Sequence, residues 1–373
     1  MSKEYTCLGM MSGTSGDGVD ASIIQSNGLD HFTVIKEKYY EYDRDLFKEF
    51  HNLKKKINSL NDLKKFSSSI KKLENNITIF HAKAVKDISQ GISLDLIGFH
   101  GQTLYHNPEE KISLQIGNGN LLSQLSKKKI VFNFRKNDIE NGGEGAPLTP
   151  IFHKHLIKSK KIKLPACILN IGGISNLTLI SSLNNQEILS KDVGPGNCLI
   201  NAWIQSHTDE KYDIGGKIAN RGKVNEVILE QALETHENNF QRNNNVSLDT
   251  NDFDNSFARG LSLEDGAATL TAFSAKIISS KISSLLKDYD KQNIKIIISG
   301  GGRKNNSLVN QIKLNSNKKL SFFNSEDFGL NGDFIESQAF GYLAIRSILS
   351  LPISFPKTTG CSAPCSGGEV VKF

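Results

Sequence analysis

The strongest constraint on this chain is an apolar strand that breaks into glycines and then resumes. Residues 9–20 are Gly-Met-Met-Ser-Gly-Thr-Ser-Gly-Asp-Gly-Val-Asp, with apolar runs at 5–8 and 19–24. This pattern predicts a β-hairpin with a glycine-rich tip. Glycine lacks a Cβ, so backbone N–H groups there can turn inward and approach an anion closely. The alternative is an ordinary glycine-rich turn.

The polar residues of this tip indicate a phosphate site. Ser12, Thr14 and Ser15 offer hydroxyl donors. Asp17 and Asp20 could orient a metal ion or its waters, and Asp17 is the candidate metal ligand. The spacing Gly-x4-Gly-Lys-Ser/Thr is absent, which disfavours the P-loop class.

Length and composition fit a globular protein of two domains. The chain has 373 residues, and Lys plus Arg (45) exceed Asp plus Glu (39) only slightly. The basic runs lack the aromatic residues expected of a nucleic-acid surface, so we expect no nucleic-acid partner. We also expect no membrane segment and a cytoplasmic location, because no signal stretch or long apolar segment is present.

The cysteines favour reduced thiols. There are five (Cys7, Cys167, Cys198, Cys361 and Cys365), and the first three lie in apolar surroundings. An odd number of this kind fits a reducing compartment better than a disulfide framework. Cys361 and Cys365 form one Cys-x3-Cys pair without a second pair or a neighbouring histidine, so we do not expect zinc there.

Helical stripes give way to short strands along the first half of the chain. Apolar residues recur at three- and four-residue steps over 46–88, which predicts amphipathic helices. Strands predicted at 95–103, 113–117 and 130–134 end in polar turns. Candidate ligands at these turns are His100, Gln102 and Arg135. Strands alternating with helices indicate an α/β sheet, whose ligands bind beyond the carboxyl ends of the strands.

The glycine turn recurs twice in the second half. Residues 167–178 form a second predicted hairpin with Gly172, Gly173 and Asn176, and a strand at 294–299 runs into Gly300, Gly301 and Gly302. The repetition suggests a duplicated architecture with a ligand in the cleft. Ser262 followed by Asp265 predicts a capping box at the start of a helix, and a last helix is predicted over 335–349. Residues 358–368 are expected to be loop or frayed tail.

Asp192-Val-Gly-Pro-Gly-Asn197 is the candidate catalytic loop. Gly194 and Gly196 flank a proline in a rigid turn before a predicted helix at 199–204, and a helix N-terminus favours negative charge. A carboxylate leading into such a loop suits the base of a kinase. The alternative is that Asp192 only caps the helix or the loop.

Together these turns match the ATP site of the actin, Hsp70 and hexokinase class. The expected fold is α/β with two domains of ribonuclease H-like topology and an ATP cleft between them. We expect one domain over 1–133 and 337–373, closed by the C-terminal helix, and a second over 134–336.

At finer grain the chain resembles the anhydro-N-acetylmuramic acid kinase family. The matching segments follow family order and span nearly the whole chain. They are MSGTSGDGVDA (11–21), HGQT (100–103), QIG (115–117), FRKNDIENGGEGAPLTP (134–150), NIGGISNLT (170–178), DVGPGN (192–197), ISGGGRKN (298–305) and FIESQAF (334–340).

The resemblance implies an activity and a set of site residues. Asp192 would activate water to open a 1,6-anhydro sugar, and O6 would take the γ-phosphoryl group of ATP with Mg²⁺ as cofactor. The implied ATP-binding residues are Gly13, Thr14, Ser15, Gly16, Asp17, Gly18, Val19, Asp20, Gly172, Gly173, Gly194, Gly196, Gly300, Gly301 and Gly302. The product would be N-acetylmuramic acid 6-phosphate, formed in cell-wall peptidoglycan recycling, and a homodimer is expected.

Five further residues are expected to bind the sugar: His100, Gln102, Arg135, Asn176 and Glu336. Arg135 suits the lactyl carboxylate, because a guanidinium pairs with a carboxylate through two bonds. Its alternative is an ion pair with Asp138 or Glu140. His100 could instead be a hydrogen-bonded histidine at a strand end, Gln102 and Asn176 could satisfy turn backbone, and Glu336 could cap a helix.

Three positions depart from the family pattern. Asn133 stands where Asp is usual, Val193 where Thr is usual, and Gly215 where a second acidic residue is expected. None of these removes the candidate base. Two other functions remain open from the sequence: a kinase for the smaller anhydro sugar levoglucosan, and an actin- or Hsp70-like ATPase without sugar chemistry.

Overall fold

The computed structural model describes residues 3–240 and 247–373. Its strands are β1 Tyr5–Ser12, β2 Gly18–Ser26, β3 Phe32–Glu41, β4 Leu96–Asn107, β5 Ile112–Ile116, β6 Lys129–Phe132, β7 Ala166–Ile171, β8 Ile174–Ile180, β9 Ile188–Pro195, β10 Ile294–Ser299, β11 Leu320–Asn324 and β12 Glu369–Val371. Its helices are α1 Arg44–Lys54, α2 Leu60–Lys65, α3 Ser67–Ile88, α4 Gly119–Ser126, α5 Lys136–Glu140, α6 Pro150–Ser159, α7 Cys198–His207, α8 Glu226–Phe240, α9 Leu263–Leu285, α10 Asn306–Leu314, α11 Ile335–Ile348 and α12 Pro356–Thr359.

The chain divides into two compact units. Unit 1 comprises Met1–Lys161, Leu183–Ile188 and Asp333–Phe373, and unit 2 comprises Ile162–Ser182 and Leu189–Gly332. These limits differ from the expected boundary at residue 134, because unit 1 continues to residue 161. One long-range contact that holds this region in unit 1 joins Asp138 of α5 to the C-terminal segment: the Thr359 hydroxyl donates to Asp138 Oδ1 at 2.6 Å.

The sheet of unit 1 is built around the predicted first hairpin. Its order is β12-β6-β4-β1-β2-β3, with β5 added to β4. β1 and β2 are antiparallel, with Met11 opposite Asp20 at the tip end, and β3 runs antiparallel to β2. β4 is parallel to β1, and β6 is parallel to β4. The hairpin prediction is confirmed.

The five strands of the unit 2 sheet repeat the order of β6-β4-β1-β2-β3. The unit 2 sheet reads β11-β10-β7-β8-β9, with an antiparallel β7–β8 hairpin and β10 parallel to both β7 and β11. In each unit a third strand extends the hairpin on one side and two later, parallel strands follow on the other; unit 1 additionally carries β12 and β5. The duplicated α/β architecture predicted from the glycine turns is therefore confirmed.

Helix α11 packs directly onto the strands of unit 1 at two glycines. A Cβ on Gly9 of β1 would lie 2.0 Å from the carbonyl oxygen of Ser337, and one on Gly98 of β4 would lie 2.3 Å from that of Phe340. Real Cβ atoms do not approach so closely, so these positions require glycine. The predicted last helix therefore covers the unit 1 sheet at close range.

The other predicted helices are also present. The region 46–88, where apolar residues recur at helical spacing, forms α1, α2 and α3, whose buried residues include Phe50, Leu73 and Ile77. One half of the predicted capping box of α9 is observed, since Ser262 Oγ accepts the N–H of Asp265 at 3.1 Å. The Asp265 carboxylate accepts the N–H of Lys223 at 2.7 Å. None of the helices in the described part of the chain is long and apolar enough to cross a membrane.

Of the two expectations for residues 358–368, loop or frayed tail, the loop is observed. Thr358 and Thr359 are buried at the end of α12, residues 360–368 form no helix or strand, and β12, which follows them, pairs antiparallel with β6. The segment is polar and rich in glycine and proline, so no periodicity marks it in the sequence. Its order comes from contacts with residues more than two hundred positions away.

Candidate active site

The hairpin tip of unit 1 is shaped by close packing against α1. The turn closes through the N–H of Gly16, which donates to the carbonyl of Gly13 at 3.0 Å. Gly16 has φ +60°, and a Cβ there would lie 2.2 Å from the ring of Phe50. A Cβ on Gly18 would lie 2.4 Å from the carbonyl oxygen of Tyr40. Only glycine fits both positions, which leaves Thr14 and Ser15 exposed at the tip.

Asp17 is fixed within this tip. Ser15 Oγ donates to Asp17 Oδ1 at 2.6 Å, and the N–H of Tyr42 donates to the Asp17 carbonyl at 2.9 Å. Lys54 of α1 reaches the Thr14 carbonyl with its ammonium group at 3.5 Å. The tip thus presents oxygen ligands beside a cation, a donor set that suits Mg²⁺ held together with phosphate.

A buried polar network lies beneath the tip, and the sequence did not reveal it. Ser12 Oγ lies 3.1 Å from Tyr42 Oη and 3.3 Å from His81 Nε2. His81 Nδ1 lies 2.8 Å from the carbonyl oxygen of Ile77. Burial lowers the pKa of His81 to about 4, so its ring is neutral at neutral pH. Tyr42 and His81 come from distant segments, and no local pattern links them to Ser12.

His100 and Arg135 form a direct pair in unit 1. Arg135 Nη2 lies 3.1 Å from His100 Nε2, and His100 Nδ1 lies 2.8 Å from the carbonyl oxygen of Gly101. A carbonyl only accepts, so Nδ1 carries the proton and Nε2 accepts from the guanidinium. Burial, and secondarily the Arg135 charge, lower the pKa of His100 to about 3. The neutral imidazole therefore orients the guanidinium.

Gln102 of β4 contacts the hairpin tip. Its Nε2 donates to the Gly13 carbonyl at 2.8 Å, the side chain is fully buried, and among the described residues its Oε1 has no hydrogen-bond partner. Glu336 lies in the first turn of α11, where burial raises the pKa of its carboxyl group and the Arg135 charge lowers it. Four of the five predicted sugar residues thus belong to unit 1.

The Asp192 loop of unit 2 is anchored on the second glycine hairpin. Gly196 N–H donates to the Gly173 carbonyl at 2.8 Å, and Asn197 N–H donates to the Gly172 carbonyl at 2.9 Å. A Cβ on Gly196 would lie 2.3 Å from the Gly172 oxygen. Asp192 Oδ2 accepts the backbone N–H of Leu248 at 2.7 Å. The carboxylate is therefore oriented by Leu248, a residue that no sequence motif marks.

The helix predicted after this loop is α7, with Asn197 at its N-cap position. The N–H of Cys198 donates to the Gly173 carbonyl at 3.2 Å. The Cys198 N–H in the first turn of α7 therefore already has a hydrogen-bond partner in the β7–β8 hairpin, and this bond fixes the start of the helix against the hairpin.

The triple-glycine turn packs on the same hairpin. Gly300 has φ +78°, and a Cβ there would lie 2.4 Å from Asn170 Oδ1. A Cβ on Gly302 would lie 2.2 Å from the Ile171 side chain, whereas none of the described residues comes within 4 Å of a Cβ built on Gly301. Arg303 stiffens the turn through Glu326, with Nε–Oε1 and Nη2–Oε1 distances of 2.9 and 2.6 Å.

Asn176 lies in unit 2. It pairs with Asn170 across β7 and β8, and among the described residues its buried Oδ1 has no hydrogen-bond partner. The buried Oγ of the neighbouring Ser175 also has no partner within the part of the chain that the structure describes. These unsatisfied atoms are costly unless a ligand or water pairs with them.

Val19, a predicted ATP-binding residue, and Val193, which departs from the family pattern, both contribute to core packing. Val19 and Val193 are both buried, in the cores of unit 1 and unit 2 respectively. Any contact of Val19 with a nucleotide is therefore left to its backbone. The atypical Asn133 adopts φ +53° and donates from Nδ2 to Glu369 Oε2 at 3.1 Å. The atypical Gly215 has φ +68° in open space.

Two α/β units of the same sheet order, each with a glycine-tipped hairpin, define a protein of the actin, Hsp70 and hexokinase class. Within that class, the chain belongs to the anhydro-N-acetylmuramic acid kinase family, whose sequence profile matches residues 5–372.

Relatives named anhydro-N-acetylmuramic acid kinase resemble the chain over its length. The protein from Pelagibacter ubique is 52% identical over 374 residues, covering 100% of both chains. That from Zymomonas mobilis subsp. mobilis is 37% identical, covering 97% of this chain and 98% of its own. A solved structure of a ROK family glucokinase from Streptomyces griseus, in complex with glucose and AMPPNP, has TM-score 0.43 and 11% identity, covering 91% of this chain and 99% of its own.

Proposed function

We propose that this protein is an ATP-dependent kinase that opens 1,6-anhydro-N-acetylmuramic acid with water and phosphorylates O6. The observation that carries the proposal is Asp192, a half-buried carboxylate oriented by the Leu248 N–H and followed directly by a glycine loop fixed on a second hairpin. Family membership supports the same activity.

ATP is proposed to bind through the glycine turns. In unit 1 the phosphate donors are the backbone and hydroxyl groups of 13–20, and in unit 2 they are the backbone groups around Gly172, Gly194 and Gly196. The open space at Gly301 suits the adenosine. Asp17 is the residue proposed to hold Mg²⁺, which, when bound, offsets the negative charge of the β- and γ-phosphates.

The chemistry assigned to Asp192 is that of a general base. It takes a proton from water as the water oxygen forms a bond to the anomeric carbon, and the bond from that carbon to O6 breaks. O6 then bonds to the γ-phosphorus, and ADP leaves. Since the leaving oxygen of the first step is the acceptor of the second, phosphoryl transfer replaces protonation of that oxygen.

Sugar recognition is assigned to the pair formed by His100 and Arg135. The neutral imidazole fixes one edge of the guanidinium through the 3.1 Å contact, which suits Arg135 for a bidentate pair with the lactyl carboxylate. Gln102, Asn176 and Glu336 are proposed to bind sugar hydroxyl or amide groups. The unsatisfied oxygens of Gln102 and Asn176 support this role, because hydroxyl donors of a sugar would satisfy them.

The cellular context is proposed on the same basis. The product, N-acetylmuramic acid 6-phosphate, fits peptidoglycan recycling in the cytoplasm, and we propose a homodimer on the family resemblance.

The test follows both halves of the reaction in one product. The protein is incubated with ATP, Mg²⁺, anhydro-N-acetylmuramic acid and ¹⁸O-labelled water, and the product is analysed by mass spectrometry. We expect the label on the anomeric oxygen and phosphate on O6. Label in the released phosphate, without sugar phosphate, would contradict the proposal.

Parallel reactions separate the other two functions. Levoglucosan lacks the lactyl carboxylate, so faster turnover of levoglucosan than of anhydro-N-acetylmuramic acid would identify the smaller sugar as the substrate. ATP consumption that is independent of any sugar would indicate an actin- or Hsp70-like ATPase instead.

A further inference from the structure

The C-terminal segment brings two thiols to a buried carboxylate in unit 1. Cys361 and Asp138 are each about 1% exposed, and Cys365 is half-buried. One ligand atom from each of these three residues lies within 4.8 Å of the other two, and all five cysteines are free thiols. The sequence offered only the Cys-x3-Cys pair; the fold supplies the third ligand from α5.

The spacing of these atoms suits a tetrahedral ion. Zinc–sulfur bonds of about 2.3 Å and zinc–oxygen bonds of about 2.0 Å, at tetrahedral angles, place a sulfur and an oxygen about 3.5 Å apart. Cys365 Sγ lies 3.9 Å from Asp138 Oδ1. A shift of a few tenths of an ångström would bring both atoms to bonding distance of one ion.

The ligands are already oriented by neighbouring groups. The Thr359 hydroxyl donates to Asp138 Oδ1 at 2.6 Å, and the N–H of Gly145 donates to Oδ2 at 2.7 Å. Ser354 Oγ lies 3.0 Å from Cys365 Sγ. Hydrogen bonds of this kind to ligating carboxylates are typical of protein metal sites, where they fix ligand direction.

We propose that Asp138, Cys361 and Cys365 bind one zinc ion, with water as a fourth ligand. Two thiolates and a carboxylate select a borderline or soft divalent ion over Mg²⁺ or Ca²⁺, which prefer sets made only of oxygen. The ion ties the segment after α12 to α5. This site is distinct from the Mg²⁺ proposed at Asp17, and it does not depend on the proposed kinase activity.

The experiment uses Co²⁺ as a spectroscopic substitute for zinc in the full-length, metal-stripped protein under reducing conditions. Co²⁺ is added in steps, and thiolate-to-cobalt charge-transfer and tetrahedral d–d bands are recorded. We expect both bands to saturate at one equivalent per chain and to disappear when Zn²⁺ is added. An absence of charge transfer at one equivalent would overturn the proposal.

Variants assign the bands to these residues. Cys365→Ser is the mildest change, because that side chain is half-buried; it should remove much of the charge-transfer intensity and weaken Co²⁺ binding at least tenfold. Cys361→Ala should do the same. Cys198→Ser changes a thiol in unit 2 and serves as the matched control, with unchanged spectra. Equal binding by all three variants would also refute the site.

Thermal unfolding measures zinc binding without relying on the absorption bands of Co²⁺. A ligand that binds only the folded state raises the unfolding temperature by mass action. Zn²⁺ should therefore raise the unfolding temperature of the wild-type protein and of Cys198→Ser, but not that of Cys365→Ser. Free thiols are counted under the same reducing conditions. A loss of two titratable thiols would show that Cys361 and Cys365 form a disulfide instead of binding metal, and this result would contradict the inference.

Discussion

Several residues of the candidate site are oriented by backbone groups. Asp192 is held by the N–H of Leu248, and Gln102 is anchored on the Gly13 carbonyl. His100 is set by the Gly101 carbonyl, which determines its tautomer and hence its role as acceptor for Arg135. Such anchoring orients a functional side chain without neutralising it.

Asp192→Asn tests the proposed base. Asparagine keeps an oxygen that can accept the Leu248 N–H, so the loop should keep its conformation, but it cannot take a proton from water. We expect kcat to fall about 10²- to 10⁴-fold, with little change in the unfolding temperature. Steady-state kinetics and thermal unfolding measure the two effects.

The control for this change is Asp209→Asn. Asp209 is an exposed carboxylate in the same unit, and its replacement should leave kcat unchanged. Wild-type turnover by Asp192→Asn in a folded protein would exclude the proposed role of the carboxylate.

At the level of elements, the glycine turns are sites of close packing as well as potential ligand contact. The hairpin β7–β8 serves as the base for both the Asp192 loop and the triple-glycine turn, through contacts at Gly172, Gly196 and Gly302. The same glycines that could approach a phosphate are therefore needed for the turns to approach one another. Gly301 and Gly302 are neighbours in the triple-glycine turn, so substitutions at these two positions can test ligand contact and close packing separately.

Gly302→Ala and Gly301→Ala make this separation measurable. A Cβ at residue 302 would lie 2.2 Å from the Ile171 side chain and 2.7 Å from Asn197 Nδ2, whereas residue 301 has open space. Overpacking should cost Gly302→Ala about 1–3 kcal/mol in the free energy of unfolding. Gly301→Ala should change it by less than about 0.5 kcal/mol.

Denaturant unfolding gives the two free energies, and nucleotide titration gives the ATP affinities. If adenosine packs against residue 301, Gly301→Ala should weaken ATP binding while stability is kept. If Gly302→Ala and Gly301→Ala lowered the free energy of unfolding by the same amount, the close contact at residue 302 would not be the cause of the loss, and the prediction would be wrong.

At the scale of the whole molecule, neutral histidines buried in unit 1 link stability to pH. Burial is the largest cause that lowers the pKa of His81 to about 4 and that of His100 and His153 to about 3, from an ordinary 6.5. All three side chains are at most 3% exposed. Below pH 6.5 the unfolded chain binds protons at these rings and the folded chain does not, so acid favours unfolding.

We therefore expect stability to fall as the pH drops from 6.5 to 5. Each of these histidines contributes a loss of about 1–2 kcal/mol over that interval, since one pH unit corresponds to about 1.36 kcal/mol per proton and the unfolded ring is already half protonated at pH 6.5. Calorimetry at several pH values measures the shift. His153→Gln should flatten the dependence, while the exposed His31→Gln should not. A stability independent of pH over this interval would contradict the assignment.

The glycine turns of the candidate site are predictable because glycine motifs and strand ends are local signals. The turns at 13–18, 172–173 and 300–302 each combine glycines with a preceding apolar strand, and the turn at 194–196 has glycines on either side of a proline before an apolar run. Leu248 and the network of Ser12, Tyr42 and His81 carried no such signal. Their partners lie 30 to 69 residues apart along the chain, and only folding brings them together.

The sequence by itself determined the α/β class, the two glycine-tipped hairpins and the family, because periodicity, turn residues and motif order are properties of local stretches of chain. The tertiary structure alone decided that unit 1 extends to residue 161, that the C-terminal segment is ordered, and that Asp138 meets Cys361 and Cys365. These outcomes depend on contacts between distant segments, whose free energy comes from burial and hydrogen bonding that no local pattern encodes.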